Sequence, residues 1–239
     1  MTTVTTPTPR TRRRMGVEER RRQLTGVALE LLGSRSPDDV SLDDIATAAG
    51  ISRPLVYHYF PGKQSLYAAA LRRAAEDLVL RFEEPRTGPF SARLLRLMGR
   101  FFDFAEEHGP GFAVLMRGSS AGAGAVDADA VADEVRDAAY RQVLAHLPAA
   151  ADPPPRLVIV VRSWVSLAET TVLTWLEGRE VPRAELELQL VQDFAALAAV
   201  GAAHDEEMAG LLRRVLATEP ADGPFADLAA RLGRLGLGS

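Results

Sequence analysis

The sequence predicts an all-α protein: an N-terminal three-helix unit of helix-turn-helix type, followed by a larger C-terminal helical domain. Three observations predict it. Apolar residues recur at i, i+3, i+4 and i+7 along most of the chain, the spacing of one helical face. Ala and Leu, both strong helix formers, dominate a composition that is 47% hydrophobic and only 6% aromatic. Gly- and Pro-containing breakers cut the chain into pieces of helical length.

Residues 1–15 are Thr, Pro and Arg without periodicity and read as a disordered basic arm carrying Arg10, Arg12, Arg13 and Arg14. A first helix starts at Glu18, with Leu24, Val27, Ala28, Leu31 and Leu32 on one stripe, and Gly33 and Pro37 close it. Ser41-Leu-Asp-Asp44 is a capping-box signature for a second, short helix, in which Leu42, Ile45, Ala46 and Ala49 repeat the spacing. Gly50 supplies a turn. Ser52 is a fresh N-cap, and Pro54 fits a first turn, where its missing N–H leaves nothing unpaired. This third helix ends at Pro61-Gly62, and a linking helix spans 63–83. Further helices are expected at 90–108, 110–117, 127–147, 155–178, 183–203, 205–217 and 224–234, with a Gly/Ala/Ser loop at 118–125. Leu157–Val161 suits a buried strand by propensity. The apolar run continues to Trp175 with no partner strand in view, so helix is the reading. The domain division is therefore 1–15, 16–62 with its linking helix, and 84–239.

Composition excludes several function classes. There is no cysteine, hence no thiol nucleophile, disulfide framework or cysteine-bound zinc. His58, His108, His146 and His204 are widely separated and none stands in a metal-ligand pairing, so no metal and no cofactor are expected. No Ser-His-Asp, phosphate-loop or metal-ligand pattern marks an enzyme. The most apolar stretch, 157–176, is interrupted by Arg162 and Glu169 and reads as core rather than as a membrane span, and the N-terminus lacks the apolar run of an export signal. A soluble cytoplasmic protein is expected. Charge is uneven. Residues 1–81 carry 13 basic and 9 acidic side chains, whereas the remainder carries 15 and 23. A basic head on an acidic body suits an anion-binding N-terminal unit.

The stretch SLDDIATAAGISRPLVYHYFPGKQSLYAAAL, residues 41–71, sharpens the reading. Its turn Ala49-Gly50-Ile51-Ser52, its run Leu55-Val-Tyr-His-Tyr-Phe60 and Lys63 just beyond Gly62 resemble the DNA-binding domain of the TetR family of transcriptional regulators. At about 100° per residue, Arg53, Pro54, Tyr57 and His58 occupy one side of the third helix, within roughly 140° of arc. Leu55 and Val56 point to the other. Such a helix docks on a core and presents its polar flank to a major groove. Arg53 suits a bidentate contact to guanine and Pro54 a thymine methyl. The resemblance implies that Tyr57 reaches phosphate or a base, that His58 and Tyr59 approach phosphate, and that Lys63, the only lysine in the chain, grips phosphate. Ser41, Ser52 and Lys63 stand at helix N-termini, where free N–H groups favour phosphate. Tyr59 and Phe60 also fit the core, and His58 also fits a solvated surface. Asp38, Asp39, Asp43 and Asp44 are unwelcome beside a phosphate backbone and are expected to face away or serve as caps.

The resemblance further implies a C-terminal domain that dimerises and binds an effector, so the expected partners are double-stranded operator DNA, a second copy of the chain and a small molecule. Helices 155–178 and 183–203 are the candidates for a homodimeric four-helix interface, the second being rich in Ala with Gly201. Met98, Phe101, Phe102, Phe112 and Met116 are candidates for an apolar ligand cavity, with His108, Arg117 and Tyr140 as polar contacts and Trp164 as a wall. All of these also fit a plain core. A DNA-binding regulator whose C-terminal domain serves only dimerisation or protein docking is the competing reading.

Overall fold

The computed structural model describes residues 15–117, 123–148 and 152–236. Among these, the regular elements are helices: α1 (Val17–Leu32), α2 (Leu42–Ala49), α3 (Arg53–Tyr59), α4 (Lys63–Arg81), α5 (Phe90–Arg117), α6 (Ala123–Ala145), α7 (Pro155–Gly178), α8 (Arg183–Ala202), α9 (Glu206–Leu216) and α10 (Pro224–Arg234), with a 3-10 turn at Pro37–Asp39. The basic arm with Arg10 to Arg14 lies outside the described residues. Leu157–Val161 is helical, as its continuation to Trp175 requires.

Two apolar cores form, and α4 contributes to both. Leu24, Ala28, Leu32, Ile45, Ala49, Val56 and Phe60 pack with Leu66 and Ala70 of α4. One turn further on, Leu71, Ala74, Ala75 and Leu78 belong to the larger core, built on α5, α6, α7 and α8 and closed by α9 and Phe225. The N-terminal unit thus shares a rigid strut with the body. Glu84 stiffens the connection that follows. Its side chain is only 2% exposed, and it accepts from Arg96 Nε at 2.6 Å and Arg100 Nη2 at 2.5 Å. Those guanidiniums hold its carboxyl below the usual range against the opposing effect of burial, itself the largest influence on it.

The two helices expected at 90–108 and 110–117 are both present, grouped as α5 but separated by a sharp break at Gly109, whose φ of 41° and ψ of −119° are not helical. Gly109 abuts Gly33 at the end of α1, a close approach that only a residue without Cβ permits. The α6 helix starts at Ala123, four residues before the expected position, because its opening Ala-rich turn is itself helix-forming. By length and composition α7 does qualify to cross a membrane, with a mean hydropathy of 1.5 over its most apolar window, against the sequence reading. Its apolar side is spent on the core, through Val161, Trp164, Ala168, Val172 and Trp175. Glu169 accepts from both Arg136 Nε and Nη2 at 2.8 Å.

Candidate nucleic-acid interface

Local chemistry sets the position of α3. Ser41 opens α2: its Oγ accepts from the Asp44 N–H at 3.1 Å, and its own N–H donates to Asp44 Oδ2 at 2.8 Å. The Ser41 hydroxyl also donates to Asp44 at 2.6 Å, and these bonds hold the Asp44 carboxyl below its ordinary range. Gly50 closes α2 in the left-handed region (φ 65°, ψ 36°), donating to Ala46 and Thr47 carbonyls. The chain reverses there and re-enters helix at Arg53. Gln23 Nε2 donates to the Ala49 carbonyl at 3.2 Å, and Arg21 Nη1 to the Tyr59 carbonyl at 2.7 Å. Both bracket the turn and α3 from α1. Tyr67 donates to the Val40 carbonyl at 2.7 Å, and burial pushes its hydroxyl up to about 12. Sequence reading missed Arg21, Gln23 and Tyr67, since their partners lie 26 to 38 residues away.

On this frame α3 buries Val56 and exposes Arg53, Pro54, Tyr57 and His58, with Tyr57 43% exposed. The sides are those expected from the helical period. Ser52 is exposed at the N-cap and makes no side-chain capping bond. Tyr59 is half-buried against the N-terminal core and meets His58 edge-on at 5.1 Å. Lys63 starts α4, its Nζ 5.2 Å from the Tyr67 ring centroid.

Ser41, Arg53, Tyr57 and Lys63 converge on one cleft of about 280 Å3, walled by the 3-10 turn and the start of α2. Three acids line the same cleft: Asp38, Asp39 and Asp43 do not face away from it. Asp43 accepts from Arg53 Nη1 at 2.9 Å, and Arg53 Nη2 lies 3.4 Å from the Tyr57 hydroxyl. The hydroxyl and Asp43 together raise the guanidinium pKa. Arg53 is thus held along the edge of α3, with its planar face 5.6 Å from the Tyr57 ring centroid. Asp44, by contrast, is the cap expected of it.

The body candidates sit in packed surroundings. Met98, Phe101, Phe102, Phe112, Met116 and Trp164 are buried core residues. Phe101 and Phe112 meet at 5.7 Å, Phe102 and Trp175 at 5.1 Å, and Trp164 Nε1 donates to the Leu190 carbonyl at 2.7 Å. His108 stacks on Phe104 at 4.0 Å, and Tyr140 lies beneath the Arg162 guanidinium at 4.4 Å. The Arg117 side chain lies outside the described residues. Of the described candidates, none lines the open cleft of about 580 Å3 at the α7–α8 turn, which Trp175 does line, or that of about 280 Å3 between α5, α6 and α9. Apolar spacing marks burial and does not separate a cavity wall from a packing neighbour, which is why the sequence could not tell them apart.

Two short helices joined by a glycine turn, with a polar exposed flank on the second and a shared strut to a helical body, define a helix-turn-helix DNA-binding regulator. Residues 24–70 match the family model "Bacterial regulatory proteins, tetR family", and residues 90–197 match "Tetracyclin repressor-like, C-terminal domain". A crystal structure of a TetR-family transcriptional regulator from Streptomyces coelicolor is 67% identical, with a TM-score of 0.88, covering 93% of this chain and 99% of that one. The chain belongs to the TetR family of transcriptional regulators. Among curated proteins, the HTH-type transcriptional activator FasR of Mycolicibacterium smegmatis is 35% identical over 104 residues, 43% of this chain and 48% of FasR. The HTH-type transcriptional regulator BetI of Brucella anthropi is 39% identical over 66 residues, 27% of this chain and 34% of BetI. These curated relatives are matched over about half their length or less. The fold is shared more distantly by FadR of Bacillus subtilis, solved in complex with stearoyl-CoA, at 14% identity and a TM-score of 0.56, covering 72% of this chain and 96% of that one.

Proposed function

We propose that the chain is a repressor that binds a palindromic operator as a homodimer through α3 and is released when a small molecule occupies its C-terminal domain. The observation that carries the DNA reading is the exposed Arg53–Pro54–Tyr57–His58 flank on a helix anchored by buried Val56. In this reading Arg53 contacts guanine, Pro54 a thymine methyl, and Ser52, Tyr57, His58, Tyr59 and Lys63 the backbone or adjacent bases. Ser41 acts through its cap, presenting the N-terminus of α2. Such a protein works in the cytoplasm.

Dimerisation through α7 and α8 is supported by what those helices leave uncovered. Ile159, Ser163, Ser166, Leu167, Thr170 and Thr174 of α7 are exposed and fall within roughly 100° of arc. On α8, Gln189, Ala196, Ala199 and Val200 form a matching exposed side, with Val200 63% exposed. Short and apolar side chains on two neighbouring helices allow close packing of a second copy. Two recognition helices then address successive major grooves about 34–36 Å apart.

A second reading, in which α7 and α8 dimerise and no small molecule intervenes, fits the ring-to-ring contacts among the described aromatic residues of the body. Sedimentation of the full chain, with mobility shift on palindromes flanking its own gene, tests the first reading. A dimer with a salt-sensitive, sequence-specific shift is the expected result. A monomer, or no specific shift at any such site, overturns it. Reporter transcription in a deletion strain separates repression from activation.

A further inference from the structure

We propose that the cleft between the start of α5, the end of α6 and α9 is a binding site for the carboxylate or monophosphate group of a small, partly apolar organic anion. This deepens the ligand-controlled reading by naming a place and a chemical class, and it rests on that reading only for the consequence on DNA binding.

The cleft has a volume of about 280 Å3 and is lined by Arg86, Arg93 and Arg214, with no acidic side chain among the described residues of its walls. Phe90, Leu147 and Val215 supply apolar surface. That size suits a compact ligand, at the lower limit of ordinary small-molecule sites.

Arg93 is the group that points to an anion. Its Nη1 donates to His146 Nδ1 at 3.0 Å. A guanidinium has no acceptor, so His146 accepts there as a neutral ring and carries its own proton on Nε2, which requires the Gln142 side-chain amide, 3.3 Å away, to turn its oxygen towards the ring. Burial, reinforced by Arg93 and Arg86, holds the imidazole below its ordinary range, consistent with that state. Arg93 Nε is buried with no hydrogen-bond partner, the one such side-chain atom among the described residues. With Nη1 taken, the Nε–Nη2 edge remains, and that edge is the fork that fits two oxygens of a carboxylate or phosphate.

The neighbouring acids do not supply those oxygens. Glu219 accepts from the Ser91 N–H at 3.1 Å and from the Ser91 hydroxyl. Glu84 is committed to Arg96 and Arg100. Among the described residues neither Arg86 nor Arg93 forms an ion pair, and Arg214 reaches only the Pro148 carbonyl at 3.5 Å. Burial and the neighbouring Arg86 and Arg96 outweigh the more distant attraction of Glu219 and Glu84 and hold the Arg93 guanidinium below its ordinary range, and an anion at the free edge offsets that cost directly. Arg214 lies on α9, beyond residues 90–197 that match the family's C-terminal domain, so this wall of the site belongs to a segment outside that match.

The test titrates the full-length chain with hexanoate, hexyl phosphate and hexanol at constant ionic strength. Binding is read by calorimetry and by the His146 imidazole resonances. Saturable binding of either anion with movement of His146, and none by hexanol, is expected, and the tighter anion identifies the head group. Arg93→Lys, which removes the fork but keeps the charge, weakens binding about tenfold or more. Arg86→Ala and Arg214→Ala, at exposed side chains, each weaken it about threefold with unchanged melting temperature. Neither anion saturating below about 10 mM, hexanol binding equally, or all three variants binding like the parent overturns the site. DNA affinity is measured separately by fluorescence anisotropy. Anion binding that leaves it unchanged supports the site and counts against ligand-controlled release.

Discussion

Gly109→Ala probes the joint between the DNA-binding unit and the body. Gly109 has φ 41°, a backbone state that L side chains rarely adopt, and an added Cβ would stand well inside 3.0 Å of the Gly33 carbonyl oxygen. Two costs therefore combine. The positive φ costs about 1–3 kcal/mol for a residue with a Cβ, and forcing a methyl against backbone costs about 1–3 kcal/mol more. Relief requires the end of α1 to retreat by about 1 Å, to the separation at which carbon and carbonyl oxygen normally meet. Because α1 carries much of the N-terminal core, that retreat also tilts α3 relative to the body. Gly50→Ala is the control. It also has positive φ, at 65°, but nothing lies within 4 Å of its added Cβ, so it carries backbone strain alone, about 1–2 kcal/mol. Urea denaturation of both variants, with operator affinity by anisotropy, separates the contributions. Gly109→Ala is expected to be the more destabilised by about 1–3 kcal/mol and to bind DNA more weakly while still dimerising. Equal destabilisation of the two variants would refute the claim that α1 and α5 are locked backbone to backbone.

Three further outcomes follow from the geometry. Asp43→Asn frees Arg53 and removes a negative charge from the cleft, so DNA affinity should rise about two- to fivefold at low salt and the gain should shrink as salt increases; a loss of affinity in anisotropy titrations would contradict the placement of Asp43 as a competitor. Lys63→Ala should weaken binding to all sequences alike and make the slope of log affinity against log salt shallower by about 0.9; an unchanged slope would remove Lys63 from the phosphate contacts. The folded-state pKa of His146 is depressed by burial and the surrounding guanidiniums, so the native state binds fewer protons there than the unfolded chain. Its stabilising contribution is present above the ordinary value of 6.5 and is lost as pH falls through that value towards the lower folded one. His146→Gln should therefore flatten the fall of stability between about pH 7 and 5, measured by denaturation at each pH, and a slope equal to the parent's would contradict a buried neutral ring.

What could be read from the sequence was what depends on near neighbours. The Ser41–Asp44 cap, the Gly50 turn, the orientation of α3 and the bounds of α7 and α10 follow from spacing and capping within a few residues, and the structure has them there. Where partners are distant in sequence, the reading stopped short. Gly109 is legible as a helix break, and the structure has one there, but its close approach to Gly33 is not. Asp43 looks like a charge to be turned away, yet ten residues on it meets Arg53. The Arg93–His146 pair joins residues 53 apart, and neither was a candidate. The aromatic positions of α5 were legible as buried, but burial alone does not say whether a side chain faces a void or another ring.

The central claim is that the outward flank of α3 reads DNA. Selection of binding sequences from a random duplex pool, run in parallel with the parent chain and with Arg53→Ala, tests it most directly. The expected result is a two-fold symmetric consensus for the parent, with half-sites about one helical turn apart, and for the variant the same spacing with preference lost at one base pair in each half-site. An identical consensus from both proteins, or no consensus from either, contradicts it.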